Sequence, residues 1–274
     1  MKRAAGWLLA GAAALGFLLP LLWMLHASFR PEPAVFQGGW APLLDFRGLH
    51  LGHYADAWRR AALATGLLNS LLQVAGILGL GLLFNSLAAY ALARFDFPGR
   101  RPLFALVIVL IILPVEVLAV PLLLTVRDLG LVGGHARTLA ALVLPFAVKA
   151  FNIYFLRQHF LALPRDLEEA AVVDGAGPFR IYWSVALPAI RPALATVLVL
   201  DLLTHWSDFI WPPIICTREE TRTVQISLAN LFTQPPVQWG DILACAVLIT
   251  LPVLLVFRLA QRHVVATHLA AGIK

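Results

Sequence analysis

Apolar runs of membrane-spanning length dominate this sequence and restrict what it can fold into. Residues 4–28 contain no Asp, Glu, Lys or Arg. The whole chain is 60% hydrophobic and 13% charged, whereas a soluble domain is about half apolar and about a quarter charged. Because a spanning helix needs roughly 20 apolar residues, we predict an all-α polytopic membrane protein with about six transmembrane helices.

Six segments meet this requirement within a single transmembrane domain covering residues 1–274. They lie at about residues 4–28, 64–92, 103–126, 138–155, 193–209 and 242–257. The first run exceeds the roughly 7–15 apolar residues of a signal-peptide core, so we interpret it as an uncleaved span. We expect Pro114 and Pro121 to break the third span, since proline interrupts helical hydrogen bonding.

The polar segment between the fourth and fifth spans carries helix start and stop signals. Asp166 is a candidate N-cap, and Glu169 stands three residues later, as in a capping box. Gly175 follows as the residue that most readily adopts the left-handed conformation at a helix end. Pro178 suits the first turn of a second short helix, and we expect Pro188 to end that helix. The pattern therefore predicts a helix, a glycine turn and a helix.

This segment resembles the EAA loop of ABC-importer permease subunits. The family pattern is Glu-Ala-Ala, three residues, Gly, nine residues and Ile-x-Leu-Pro; here Val185 replaces the isoleucine. In that family the loop is cytoplasmic, and its short coupling helix docks in a groove on the ATPase subunit. The resemblance therefore implies a cytoplasmic coupling helix within residues 164–192. The residues that it assigns to ATPase coupling are Asp166, Glu168, Glu169, Ala170, Ala171, Asp174, Gly175, Leu187 and Pro188.

Further segments resemble the same family. Residues 88–101 are similar to its L-A-A-Y-A-L-A-R-F-x-F-x-G-R segment, and residues 206–212 to W-N-D-F-x-W-P, with Ser207 replacing the asparagine. Residues 261–274 resemble its C-terminal tail. The overall pattern is similar to the MalG-like subunits of carbohydrate importers. It implies a second homologous permease, an ATPase dimer that binds ATP and magnesium, and an extracytoplasmic solute-binding protein, in the cytoplasmic (inner) membrane.

Polar side chains within the spans are candidates for the translocation pathway. A charged group in a span is unfavourable, and it usually faces the bundle interior or a water-filled cavity. We expect Glu116 to be buried near the middle of the third span, with Lys149 as a candidate partner. The alternative role for these groups is structural hydrogen bonding between helices. The candidates are Glu116, Lys149, Asn152, Asp201, His205, Trp206 and Asp208.

The sequence contains no recognisable nucleotide-binding or metal-binding motif. A P-loop requires Gly-Lys-Ser/Thr, and no lysine here precedes Ser or Thr. Cys216 and Cys245 are far apart and have no metal-ligand spacing. The basic residues are dispersed, so nucleic acid is not an expected partner. We therefore expect a transport subunit that is not an enzyme and has no cofactor or metal of its own.

The distribution of Lys and Arg indicates an orientation. With the N-terminus inside, the inner segments hold twelve basic residues and the outer segments eight. Cytoplasmic loops carry the excess of Lys and Arg, so both termini and the EAA-like loop are expected in the cytoplasm.

Two other classes of protein remain open at this point. A secondary transporter would leave the EAA-like pattern unexplained, and a membrane enzyme would lack a recognisable active-site motif. The substrate also stays open: the resemblance allows a sugar, an oligosaccharide or a glycerol phosphate ester.

Overall fold

The computed structural model of the protein describes residues 2–37 and 48–271, and it describes their side chains except at residues 2–5, 115 and 260–271. Helices connected by turns form the described part, without a strand, so the all-α prediction is confirmed. The α-helices are α1 Lys2–Ala27, α2 Gly52–Arg60, α3 Leu63–Arg94, α4 Arg100–Ile112, α5 Val115–Asp128, α6 His135–Val143, α7 Ala150–Ala162, α8 Asp166–Val173, α9 Pro178–Ile181, α10 Leu187–Ala189, α11 Arg191–Trp206, α12 Trp211–Ile215, α13 Val224–Leu231 and α14 Trp239–Ala271. The last three residues of the family-like tail lie outside the described residues.

Length and composition divide the candidate membrane spans into two groups. Helices α1, α3 and α14 each contain a segment long and apolar enough to cross a bilayer. Three further candidates are bent pairs: α4 with α5 at 111°, α6 with α7 at 49°, and the run Pro178–Ala189 with α11 at 75°. The count is therefore three among the described residues, or up to six if each bent pair is one span. Six spans in a single domain stay a prediction.

The bends have identifiable backbone causes. Leu113 is extended (φ −73°, ψ 118°) immediately before Pro114, because proline disfavours the helical conformation of the residue that precedes it. Pro121, by contrast, stays inside α5, so the predicted second break is wrong. At the α6–α7 bend, Lys149 is extended, and its backbone N–H donates a hydrogen bond to Asn85 Oδ1 of α3 at 2.9 Å. The buried amide of Asn85 thus satisfies backbone groups that the break exposes.

Residue contacts divide the chain into two units. The first comprises Met1–Leu67 and Thr223–Pro252, and the second Leu68–Arg222 and Val253–Lys274. In the second unit, α3, α7 and the run before α11 pack Tyr90 between Phe160 and Tyr182, with both pairs of ring centroids 5.2 Å apart. This aromatic cluster belongs to a core with fully buried Leu156 and Ala186.

Polar contacts, some of them buried, connect the segments of the first unit at the start of α14. Asp241 accepts hydrogen bonds from His53 Nδ1 at 2.8 Å and from Arg60 at 2.7 Å. Glu32 accepts the backbone N–H groups of Trp239 and Gly240 at 2.7 and 2.9 Å. These carboxylates lie where the helix N-terminus favours negative charge, and they tie the segment before α2 to the last helix.

Candidate functional site

The EAA-like segment forms the short helix α8, and its C-terminus has the geometry of a Schellman motif. Gly175 has a φ of +78°. Its N–H donates to Val172 O at 2.9 Å, and the N–H of Ala176 donates to Ala171 O at 2.9 Å. Both bonds satisfy carbonyl groups that would otherwise lack partners at a helix end. The glycine turn predicted from the sequence is therefore confirmed.

Two of the predicted helix signals are wrong in detail. Asp166 is the first residue of α8, Arg165 occupies the N-cap position, and no side chain caps the helix. The helical run also continues through Pro188 to Ala189. Pro188 lies in the first turn of α10, directly after a π-helical turn at Tyr182–Ala186. Proline is tolerated there because first-turn N–H groups need no intrahelical partner.

An ion pair fixes α8 against the preceding helices. Arg94, the last residue of α3, donates from Nε to Glu168 at 2.9 Å and from a terminal nitrogen to Leu163 O at 3.0 Å. The side chains of Arg94 and Glu168 are only 7% and 16% exposed. Glu168 therefore has a partner inside the subunit, in contrast to the expectation that it faces an ATPase groove, whereas Glu169 is exposed.

The loop also presents an apolar surface that sequence reasoning missed. Val173 is 87% exposed and Phe179 71% exposed. Leu167, Val172 and Trp183 are exposed as well. Large apolar side chains in a polar loop were the available signal for this surface. We call these five residues the coupling surface. Exposed apolar clusters of this kind mark sites of protein or membrane interaction.

The remaining predicted coupling residues lie around this surface. Asp166, Ala170 and Asp174 are exposed, and Ala171, Leu187 and Pro188 are half-buried. Behind them, the buried Tyr182 shares a hydrogen bond of 2.8 Å with Ser86 of α3. The loop thus has an exposed face and a face attached to the helices that precede and follow it.

The second candidate site is a cavity of about 470 Å³ within the second unit. Its wall combines aromatic and apolar side chains with a few polar ones, as is typical of small-molecule sites. The lining residues relevant here are Glu116, Phe146, Lys149, His205, Asp208, Phe209 and Trp211. Four of the predicted pathway residues therefore share one cavity.

Lys149 pairs with Asp201 and not with Glu116. Lys149 Nζ lies 2.7 Å from Asp201 Oδ1, and Asn152 Nδ2 donates to Asp201 Oδ2 at 2.6 Å. Asp201 is buried, so its two hydrogen bonds offset the desolvation of its charge. Glu116 is exposed in the first turn of α5, so its predicted burial in mid-span is wrong. The bend at Pro114 places it there.

The end of α11 supplies the remaining polar groups. Asp208 Oδ1 accepts the backbone N–H groups of Ile210 at 2.9 Å and Trp211 at 3.3 Å, which places the carboxylate at the start of α12. Trp211 donates its indole N–H to Ala141 O at 3.0 Å. His205 is 6% exposed, and among the described residues its ring nitrogens have no hydrogen-bond partner. Trp206 is buried and does not line the cavity.

The described residues contain no group of three or more His, Cys, Asp or Glu side chains placed to hold a metal ion. The cavity has the mixed lining of a small-molecule site, and the coupling surface has the exposed apolar character of an interaction site.

Comparison with known proteins identifies the family. Residues 78–267 match the model described as binding-protein-dependent transport system inner membrane component. The chain belongs to this permease family. A permease protein for arabinooligosaccharides (AraQ) from Halalkalibacterium halodurans is 34% identical over all of both chains. A diacetylchitobiose uptake permease protein (NgcG) from Streptomyces coelicolor is 32% identical over 90% of this chain and 81% of its own.

A solved structure has the same fold. It is a bacterial ABC transporter involved in the import of the acidic polysaccharide alginate, and one of its chains superposes with a TM-score of 0.81. The two chains are 25% identical, and the match covers 96% of each. The permease is therefore an inner-membrane subunit of an ABC importer that depends on a solute-binding protein.

Proposed function

We propose that this permease subunit forms half of the translocation pathway of an ATP-driven importer for a carbohydrate. Support for the substrate class comes from the relatives, which carry oligosaccharides by name. The subunit performs no covalent chemistry. ATP and magnesium bind to a separate ATPase dimer, which agrees with the lack of a P-loop in the sequence.

The coupling surface carries the proposal. Val173 is 87% exposed and Phe179 is 71% exposed, and burial of such apolar side chains against a partner is favourable. Val173 stands on α8, which the Arg94–Glu168 pair fixes to the end of α3, and Phe179 stands on α9 just beyond the Gly175 turn. An ATPase that binds this surface can therefore transmit its own movement to the helices of the second unit. Glu169, Asp166 and Asp174 add exposed carboxylates for basic groups in the ATPase groove.

The remaining partners follow from the family and the charge distribution. A second homologous permease completes the pathway, and a soluble binding protein delivers the solute outside the cytoplasmic membrane. The excess of Lys and Arg in the inner segments supports cytoplasmic termini and a cytoplasmic coupling surface. The segment between α12 and α14 then faces the binding protein.

Co-purification tests the coupling role. The subunit is expressed with its partner permease and ATPase, as wild type and as Val173→Asp. A carboxylate in the apolar coupling surface has to be desolvated on docking, so we expect the ATPase to be lost from Val173→Asp. Recovery of equal amounts of ATPase with both forms would show that this surface is not the ATPase-binding site.

The matched control is Leu51→Asp. Leu51 is 68% exposed but lies at the N-cap of α2, far along the chain from the coupling surface. Aspartate is favourable at an N-cap, so this variant should keep the ATPase and the expression level of the wild type. A loss in both variants would point to general damage by an introduced charge.

A further inference from the structure

We propose that the cavity of the second unit selects uncharged, hydroxyl-rich solutes and rejects anionic ones. The inference rests on the proposed function and names the substrate class within it. It separates two substrates that the family resemblance leaves open, a neutral sugar and a glycerol phosphate ester, and it also excludes sugar acids.

The charged groups in the cavity wall disfavour an anionic solute. Glu116 and Asp208 line the cavity, and neither forms an ion pair with a described residue. The cation in the wall, Lys149, is paired with Asp201. The described wall contains no arginine, the residue that binds phosphate and carboxylate groups with paired hydrogen bonds. An anionic solute would thus meet two carboxylates that no described cation pairs with, and like charges repel.

His205 supplies the second, independent observation. It lines the cavity, it is 6% exposed, and its two ring nitrogens have no hydrogen-bond partner among the described side chains and backbone. A buried polar group without a partner is unfavourable, so a solute or water must satisfy it in the working transporter. A neutral imidazole offers one donor and one acceptor, and a hydroxyl can meet either of them, whereas an ionised phosphate or carboxylate only accepts.

The aromatic part of the wall fits the same class of solute. Phe146 lies between His205 and Trp211, with ring centroids 5.4 and 6.0 Å away. Phe209 adds a further ring. A sugar ring has apolar C–H faces that pack on aromatic side chains, while its hydroxyl edge points to polar groups. The volume of about 470 Å³ also falls within the range of small-molecule sites.

An uptake experiment tests the selectivity. The complete transporter, with its partner permease, ATPase and binding protein, is reconstituted in vesicles containing ATP. The vesicles receive a mixture of neutral fragments from arabinan, starch and chitin, together with uronate trimers and sn-glycerol 3-phosphate. Mass spectrometry of the vesicle contents identifies what enters. We expect ATP-dependent accumulation of neutral fragments alone, and ATP-dependent accumulation of either anion at a rate comparable to or above that of the neutral fragments overturns the inference.

Stimulation of ATP hydrolysis by the binding protein is measured in the same vesicles. It distinguishes a failure of the selectivity from a failure of the proposed importer function. Stimulated hydrolysis with anion uptake leaves the importer function standing and removes the selectivity. A lack of stimulation in the fully assembled complex contradicts the proposed function itself, and the selectivity with it.

Variants at His205 test the wall directly. His205→Phe keeps an aromatic ring without polar atoms, and we expect about tenfold slower uptake of the neutral fragment. His205→Gln keeps one donor and one acceptor and should restore most of the rate. The control is Thr196→Val on the same helix, whose hydroxyl bonds Pro192 O within the helix. Wild-type uptake by His205→Phe would overturn the role of His205.

The carboxylates are tested by the double variant Glu116→Gln, Asp208→Asn. Asparagine still accepts the backbone N–H groups of Ile210 and Trp211, so the start of α12 is preserved. We expect the uptake of anions relative to neutral fragments to rise by about tenfold, since the repulsion is removed. An unchanged ratio would show that these carboxylates do not set the selectivity.

Discussion

Arg94 and Glu168 form a nearly buried ion pair of 2.9 Å that joins the end of α3 to the coupling helix α8. The neighbouring Glu169 is exposed. Two adjacent carboxylates of the same motif therefore have different tasks: one holds the helix in position, and the other is available to a partner.

The two glutamates are distinguished by separate variants. Glu168→Gln leaves Arg94 with an unpaired charge in a nearly buried site, which costs about 3 kcal/mol. We expect a lower melting temperature of the purified complex and faster proteolysis of residues 164–192. The exchange Arg94→Glu with Glu168→Arg should recover part of the loss. Equal melting temperatures of the wild type, Glu168→Gln and the exchanged pair would contradict the ion-pair role.

Glu169→Arg is expected to act on binding alone. Its exposed side chain leaves the stability of the subunit unchanged, because surface substitutions usually alter stability by less than about 0.5 kcal/mol. The reversed charge would repel the basic groups that we propose for the ATPase groove, so the ATPase should be lost on co-purification in moderate salt. Normal co-purification of the ATPase with Glu169→Arg, at an unchanged melting temperature, would show that Glu169 does not contribute to docking.

The glycine turn provides a matched pair of substitutions. Gly175 has a φ of +78°, whereas Gly177 has a φ of −74°, and both have open space where a Cβ would lie. Alanine at 175 should therefore destabilise the end of α8 by about 1–2 kcal/mol through backbone strain, while alanine at 177 is tolerated. Uptake rates and ATPase co-purification measure the difference, and equal behaviour of the two variants would argue against the strain.

Gly175→Pro is the stronger form of the same test. Proline cannot adopt a positive φ, and it removes the N–H that bonds Val172 O. We expect uptake to be lost while the protein stays in the membrane at the normal level. Immunoblotting of the membrane fraction and vesicle uptake together check this outcome; normal uptake would count against the coupling role.

The Lys149–Asp201 pair predicts a double-mutant cycle. Lys149→Met leaves the buried Asp201 with Asn152 as its one remaining polar side-chain partner among the described residues. Removing one member of a buried pair costs about 3–5 kcal/mol, so the melting temperature should fall clearly. The double variant Lys149→Met, Asp201→Asn should be more stable than Lys149→Met alone; simple additivity of the two single effects would show that the pair does not couple.

The approach of α14 to α2 predicts a steric effect. A Cβ added at Gly240 would collide with the imidazole of His53, whose nitrogens are held by Asp241 and by Arg30 O. Gly240→Ala should therefore lower the melting temperature. In a His53→Ala background the same substitution should have a smaller effect, because the colliding ring is absent. An equal loss in both backgrounds would assign the effect to the backbone instead.

Local sequence patterns determined the helical character of the chain, the short helix at residues 166–173 and the glycine turn that ends it. Apolar length predicts a spanning helix without knowledge of its neighbours, and the freedom of Gly175 to adopt a positive φ is a property of one residue. The family-like motif at residues 164–192 likewise depends on spacing along the chain. For these features, interactions within a few residues suffice, and a sequence contains them.

Only the tertiary structure decided which polar groups meet. Glu116 was a reasonable partner for Lys149 by sequence, yet the bend at Pro114 exposes Glu116 and the packing of α7 on α11 brings Asp201 to Lys149. The inward direction of Glu168 depends in the same way on the distant Arg94. Such pairings are decided by the angles between helices, because a carboxylate that must be desolvated pairs with whichever cation the packing brings near.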